Sequence, residues 1–254
     1  MSRCAAVWVA AVLFTAAVPA ARAASTSEDF GTIFVSKYFL NNNVWGQDDS
    51  PNGWNAIWNS NSASPVWWGT AYNWPVNGNP YSVKAYPSIV SGWHWGTWSN
   101  NSGLPVRVWD NRNVSTGGNF SLQNAGVQNV AYDCWFHTMS NPTWENQPSD
   151  ELMIWVAAYG GAGPLGTYQE TVTIAGTQWK VYKGNIGWNV YSFVRVSNTT
   201  SWSFNIRDFT NYVTYSKGWM SNAKFLTSVQ FGTEVFSTNG NGQLDVGNYR
   251  VDVN

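Results

Sequence analysis

Asp150-Glu151-Leu152-Met153-Ile154-Trp155-Val156 opens on carboxylates and runs on through large apolar residues. The run is too short for an ordinary helix and has the length of a strand. Side chains alternate between the two faces of a strand. Glu151, Met153 and Trp155 therefore share one face, and Leu152, Ile154 and Val156 the other. The second set is wholly aliphatic and reads as core. The first aligns an acid with a thioether and an indole, as the floor of a binding groove would. Upstream, Asn129-Val130-Ala131-Tyr132-Asp133-Cys134-Trp135-Phe136 alternates with period two. Asn129, Ala131, Asp133 and Trp135 point one way, and Cys134 is expected to be buried on the opposite face. The polar connection His137 to Ser149 would let the two strands pair as an antiparallel hairpin.

Outward from this pair, short apolar or aromatic runs alternate with turn signals such as Asp49-Ser50-Pro51-Asn52-Gly53, Asn77-Gly78-Asn79-Pro80 and Thr116-Gly117-Gly118. That pattern predicts a β-sandwich or barrel. Strands are expected at Thr32 to Val35, Lys37 to Leu40, Glu170 to Ile174, Gln178 to Tyr182, Val190 to Arg195, Phe225 to Phe236 and Tyr249 to Val253. In Ser91-Gly92-Trp93-His94-Trp95-Gly96, alternation would put Trp93 and Trp95 on one face and His94 on the other. One helix is expected: apolar residues recur at 206, 209, 212 and 213, Asn205 can cap it, and Asp208 sits in its first turn. No internal repeat or break in composition marks a second domain.

The first residues have the form of a secretory signal, with Arg3, an apolar Ala5 to Ala17 and an Ala21-Arg22-Ala23 cleavage pattern. Residues 1–23 are thus expected to be a signal peptide and residues 24–254 a single catalytic domain, with no membrane partner after cleavage. Net charge is −1, and losing Arg3 and Arg22 takes it to −3. Such a surface is unsuited to nucleic acid, which needs clustered Lys and Arg. Cys4 leaves with the signal, so Cys134 has no intrachain partner and reads as a buried, inert thiol. Charged residues make up only 11% of the chain while Trp occurs 18 times. Exposed indole normally marks a binding site, and pyranose rings stack well on it. We expect roughly a third of the tryptophans to line a groove and the rest to be core.

Metal and cofactor chemistry find few candidate groups. There are two histidines, His94 and His137, no usable cysteine pair and no P-loop. A Ser-His-Asp hydrolase would show a nucleophile elbow, and none is present. The 14 carboxylates remain. Most sit in polar loops as solvated charges, but Asp133, Glu151 and Glu234 interrupt apolar strands. Burying a carboxylate is costly unless it is paired or hydrogen-bonded. Two acids in different surroundings are what glycoside hydrolysis requires, one ionised to attack and one protonated to release the leaving oxygen. A third acid beside the nucleophile could share its proton. Spacing does not say which glutamate does which.

Glu151-Leu152-Met153-Ile154-Trp155 and Phe231-Gly232-Thr233-Glu234-Val235-Phe236 resemble the two catalytic segments of glycoside hydrolase family 12. Asn43-Val44-Trp45-Gly46, Asn129 to Asp133, Lys84 to Trp95 and Asn205 to Tyr212 fit the same family in the same order, the last two its bacterial members in particular. The resemblance implies an all-β jelly roll of two curved antiparallel sheets, with a concave groove for β-1,4-glucan and one helix outside. It implies a secreted endo-β-1,4-glucanase acting with retention, without cofactor or metal. Glu151 would be the nucleophile, Glu234 the acid/base and Asp133 the acid bonded to the nucleophile. Asn43, Trp45, Asn129, Met153, Trp155 and Phe236 match groove positions, Trp45 stacking on a sugar on the non-reducing side. His94 and Trp95 are additional candidates, a purely structural hydrogen bond being the competing reading of His94. Pro164 falls in the loop bordering the groove. Two features depart from the family: no disulfide can form near the mature N-terminus, and Val235 stands where a proline is common.

A xyloglucan-specific endoglucanase of the same fold and mechanism is the nearest alternative, and a non-catalytic β-glucan-binding lectin or module comes from another class. The polar surface and single domain favour a monomer. If the retaining reading holds, the two glutamates should face each other at about 5–5.5 Å, with Asp133 in hydrogen-bond reach of Glu151.

Overall fold

In the computed structural model, residues 24–76 and 79–254 are described. The expected signal segment, residues 1–23, lies outside the described residues, as do Asn77 and Gly78 of one expected turn. The chain forms two packed sheets. The smaller orders its strands Ser25–Thr26, Trp54–Asn59, Val66–Asn73, Gly242–Val253, Val114–Gln123 and Ser201–Asn205. The path of the larger runs Thr167–Ile174, Thr177–Asn185, Asn189–Arg195, Asp150–Tyr159, Val127–His137, Phe225–Gly232, Ser88–His94, Tyr38–Asn41 and Thr32–Val35.

The expected hairpin forms. Val127–His137 pairs antiparallel with Asp150–Tyr159, Trp135 lying opposite Glu151 and Asp133 opposite Met153. One pairing departs from the antiparallel expectation: Asp150–Tyr159 runs parallel to Asn189–Arg195, with Glu151 level with Val190. Parallel neighbours need a crossover, and the intervening hairpin of Thr167–Ile174 with Thr177–Asn185 supplies it.

The alternation holds where both sheet faces are distinct. Val130, Tyr132, Cys134, Phe136, Leu152, Ile154 and Val156 all enter the main core between the sheets. There Phe231 packs against Trp202 at 4.5 Å and Tyr132 at 4.7 Å between ring centroids, with Tyr249 stacked at 5.6 Å. The polar tips of Trp202, Tyr132 and Thr116 are satisfied in series. Trp202 Nε1 donates to the Tyr132 hydroxyl at 2.8 Å, which lies 2.5 Å from the Thr116 hydroxyl, and Thr116 donates to the Arg250 carbonyl at 2.8 Å.

The helix runs Ile206–Asn211 and continues as a π-helical turn, Tyr212–Ser216. Asn205 caps it by accepting from the Arg207 N–H at 3.1 Å. Phe209 reaches into the core against Trp179 and Phe193, at 5.0 and 5.2 Å. Ser36 adopts a left-handed φ of 53° in the turn before Tyr38–Asn41, so Lys37 belongs to the turn and not to the strand. Truncating Phe231 to alanine empties the centre of the aromatic cluster. We expect Phe231→Ala to cost about 3–5 kcal/mol, read as a lowered urea midpoint at unchanged slope.

Candidate active site

A concave cavity of about 540 Å³ opens on the larger sheet, and Asp133, Glu151 and Glu234 all line it. The volume suits a small ligand or a segment of a longer one. Glu151 and Asp133 arrive by strand alternation. They are diagonal neighbours on one face, since Asp133 stands opposite Met153, two residues on from Glu151. Glu234 arrives differently. The strand Phe225–Gly232 breaks at Thr233-Glu234 before Val235–Ser237 begins. Asn129 holds the break: its Oδ1 accepts from the Glu234 N–H at 2.9 Å, and its Nδ2 donates to Glu234 Oε2 at 2.5 Å.

The three acids are electrostatically distinct. Burial raises Glu234 to about 8, the charge of Glu151 adds to this, and the Asn129 amide opposes it by favouring the carboxylate. Burial also raises Glu151, against hydrogen bonds from Asp133 and Trp188 that favour its charged form. Asp133 is pushed well above the ordinary carboxylate range, first by burial, then by the charge of Glu151 and the hydrogen bond to it. Two ionised carboxylates have only acceptors, so the Asp133–Glu151 bond needs one proton. Asp133 carries it and Glu151 accepts. The Asp133–Glu151 pair thus shares a proton, while Glu234 keeps its own to about pH 8.

Among the expected groove residues, Asn43, Trp45, His94 and Trp95 also line the cavity. Trp45 and Trp95 are 61% and 41% exposed, as stacking platforms must be. The alternation expected at Trp93 to Trp95 fails. The strand ends at His94, and Trp95 and Gly96 follow with φ of 43° and 93°. These are the two positive-φ positions of a tight hairpin loop joining His94 to Thr97. The turn re-aims Trp95, so it reaches the cavity beside His94 while Trp93 is buried. His94 Nδ1 lies 3.0 Å from Gln230 Nε2, and burial lowers its pKa to about 4. The neutral ring accepts from the amide at Nδ1, which leaves Nε2–H as a donor.

Met153, Trp155 and Phe236 correct the expectation of direct groove contact. They are 4%, 1% and 5% exposed and form a small apolar cluster with Ala131 and Val190 beneath the cavity. Val83, Ala162 and Trp188 are among the residues packed against it. Asn129 is fully buried and meets Glu234 without lining the cavity, and Pro164 lies outside the lining too. Cys134 is free and buried in the core, opposite Asp133.

Sequence reasoning missed Trp188, whose Nε1 donates to Glu151 Oε2 at 2.6 Å. No periodic signal marks it, because it stands in the turn before Asn189–Arg195. Trp135 and Gln230 were also missed as cavity residues, although alternation puts each on the face of an acid. Trp135 packs edge-on against Trp188 at 5.4 Å.

Comparisons with known proteins point to one family. Endoglucanase S of Pectobacterium parmentieri is 45% identical over 240 residues, covering 91% of this chain and 88% of that protein. The xyloglucan-specific endo-beta-1,4-glucanase A of Emericella nidulans is 35% identical, covering 91% of this chain and 92% of that one. The solved structure of a native family 12 xyloglucanase from Bacillus licheniformis is 44% identical with a TM-score of 0.84, covering 91% of this chain and all of that one. The two sheets therefore make a β-jelly-roll. With the sequence profile of Glycosyl hydrolase family 12 matching residues 36–254, the chain that gathers three acids in one cavity beside exposed indoles belongs to that family of glycoside hydrolases.

Proposed function

We propose that this protein is a secreted endo-β-1,4-glucanase that hydrolyses internal β-1,4-glucosidic bonds of cellulose-related glucans with retention. Residues 1–23 are its signal peptide and residues 24–254 its one catalytic domain, acting as a monomer. The observation that carries the reading is that Glu151 and Glu234 line one cavity in different surroundings, Glu151 taking hydrogen bonds from Asp133 and Trp188 and Glu234 held by Asn129.

Glu151, ionised, attacks the anomeric carbon while Glu234, protonated, gives its proton to the departing glycosidic oxygen. The C1–O bond to the leaving sugar breaks and a glucosyl ester on Glu151 remains. Water then attacks C1, Glu234 takes its proton, and the ester bond breaks to return the electron pair to Glu151. Asp133 acts as a proton-bearing partner that orients Glu151. Trp45 and Trp95 supply stacking surfaces, and His94 an Nε2–H donor for a sugar hydroxyl. Met153, Trp155 and Phe236 form the packed bed under the site, Asn129 the clamp on Glu234, and Pro164 part of the bordering loop.

A specificity for xyloglucan is a second reading, favoured by the likeness to the Bacillus licheniformis xyloglucanase. Rates on carboxymethyl-cellulose, barley β-glucan and xyloglucan separate the two.

Glu151→Gln and Glu234→Gln should each lower reducing-sugar release by at least about 1,000-fold (~4 kcal/mol of barrier). Glu234→Gln should lose far less on a substrate whose leaving group needs no proton. Proton NMR of the first product should show the β-anomer; the α-anomer first would contradict retention. Activity should fall as pH rises through about 8, where Glu234 loses its proton.

The same acid makes a stability prediction. The folded protein keeps the Glu234 proton to about pH 8, whereas the unfolded chain releases it near the ordinary 4.5. Between these values the unfolded state binds fewer protons, so this group makes stability fall as pH rises. Glu234→Gln removes that dependence. Its Tm should exceed that of the wild type by a margin that grows between those pH values and then levels off.

A further inference from the structure

We propose that the indole N–H of Trp188 is a positioning donor for Glu151: it fixes Oε2 of that carboxylate and makes Glu151 a better leaving group in the second half of the reaction. The proposal rests on the reading of Glu151 as the nucleophile. Its first support is the 2.6 Å bond itself. Its second is how firmly the indole is set.

Trp188 ends a short turn whose bonds close on themselves. Asn185 Nδ2 donates to Asn189 Oδ1 at 3.3 Å, the Gly187 N–H donates to Asn185 Oδ1 at 3.2 Å, and the Ile186 N–H to the Trp188 carbonyl at 3.1 Å. The next residue, Asn189, is tied to the strand of Glu151. Its Nδ2 donates to Asp150 Oδ1 at 3.1 Å and its backbone N–H to the Ser149 carbonyl at 3.2 Å. Asp150 is itself wholly buried, and its other oxygen takes Ser149 Oγ at 2.8 Å and Lys224 Nζ. The ring packs against Trp135 and against the apolar cluster that includes Met153 and Val190. The donor is thus held from the backbone side and the ring side together.

Trp188 and Asp133 both bond Glu151, but they differ in chemistry. Asp133 can give or take a proton. An indole N–H donates only and keeps its proton throughout, so it always favours the carboxylate over any neutral form. A hydrogen bond to a charged acceptor is roughly twice as strong as one to a neutral acceptor. When Oε–C1 forms, Glu151 loses its charge and the Trp188 bond weakens. When water displaces the ester, the charge returns and the bond strengthens. Trp188 therefore assists departure more than attack and keeps the glucosyl-enzyme short-lived.

The test uses the full-length protein with Trp188→Phe, and with Trp188→3-benzothienylalanine, which keeps the ring shape but carries sulfur for N–H. Two readouts are taken: the pH profile of kcat/KM on β-glucan, and the pre-steady-state release of dinitrophenol from dinitrophenyl β-cellobioside. Both variants should move the acidic limb up by about one pH unit. Both should lower kcat about tenfold, with KM falling as well, because the glucosyl-enzyme accumulates. A burst of dinitrophenol should precede the steady state. A benzothienyl variant with the wild-type limb and no burst overturns the proposal, since the indole would then act by shape alone. A wild type that releases no sugar overturns the underlying hydrolase reading instead.

Discussion

Three carboxyl groups packed into one cavity cannot all be ionised, and much of the local structure answers that constraint. Glu151 and Asp133 are each 7% exposed, and a carboxylate so placed is stable only with protons or donors around it. The site uses both. Asp133 carries a proton and spends it on Glu151, and Glu234 keeps its own to about pH 8. Trp188 and Asn129 each bring one N–H to a carboxyl oxygen. The result is a different environment assigned to each acid.

That assignment depends on register. A one-residue slip would turn every side chain of a strand to the other face. What prevents it is the opposite face of the same two strands, where Val130, Tyr132, Cys134, Phe136, Leu152, Ile154 and Val156 fill the core. The side chains that hold the acids in register thus lie on the other face of the sheet from them. Glu234 has no such guarantee, because it sits in a break between strands. Asn129 supplies the missing constraint by bonding both its backbone and its carboxyl group.

This difference explains what could be read from the chain. Glu151, Asp133 and the buried Cys134 follow from period-two alternation, a local signal, and the helix cap follows from Asn205. Trp95 was expected at the groove from the family resemblance, but its direction was not legible, because a two-residue turn ends the alternation at His94. Met153 and Trp155 have the face that alternation assigned, yet they are covered. The residues packed against them include Val83 and Ala162, about 70 and 9 residues from Met153 in the chain, and no pattern in the strand reports such contacts. Trp188 escaped entirely. Its distance to Glu151 is set by a parallel pairing across 37 residues, and a turn residue carries no periodicity to point the way.

Asp150 and Glu151 make the final point, for they are chain neighbours, both buried, and opposite in character. Asp150 is surrounded by Lys224, Ser149, Asn189 and Tyr191. A buried charge with a cation and several donors is compensated, and such an acid has no unmet demand to turn on a ligand. Glu151 has neutral donors and a fellow acid, and among the described residues no lysine or arginine forms an ion pair with it. Its charge is held in place without being neutralised. A glycosidic carbon becomes positive as its bond to the leaving oxygen lengthens, and a fixed negative charge in a sheltered cavity stabilises that state more than the neutral sugar before it. The missing cation beside Glu151 is therefore what leaves its field free for the transition state.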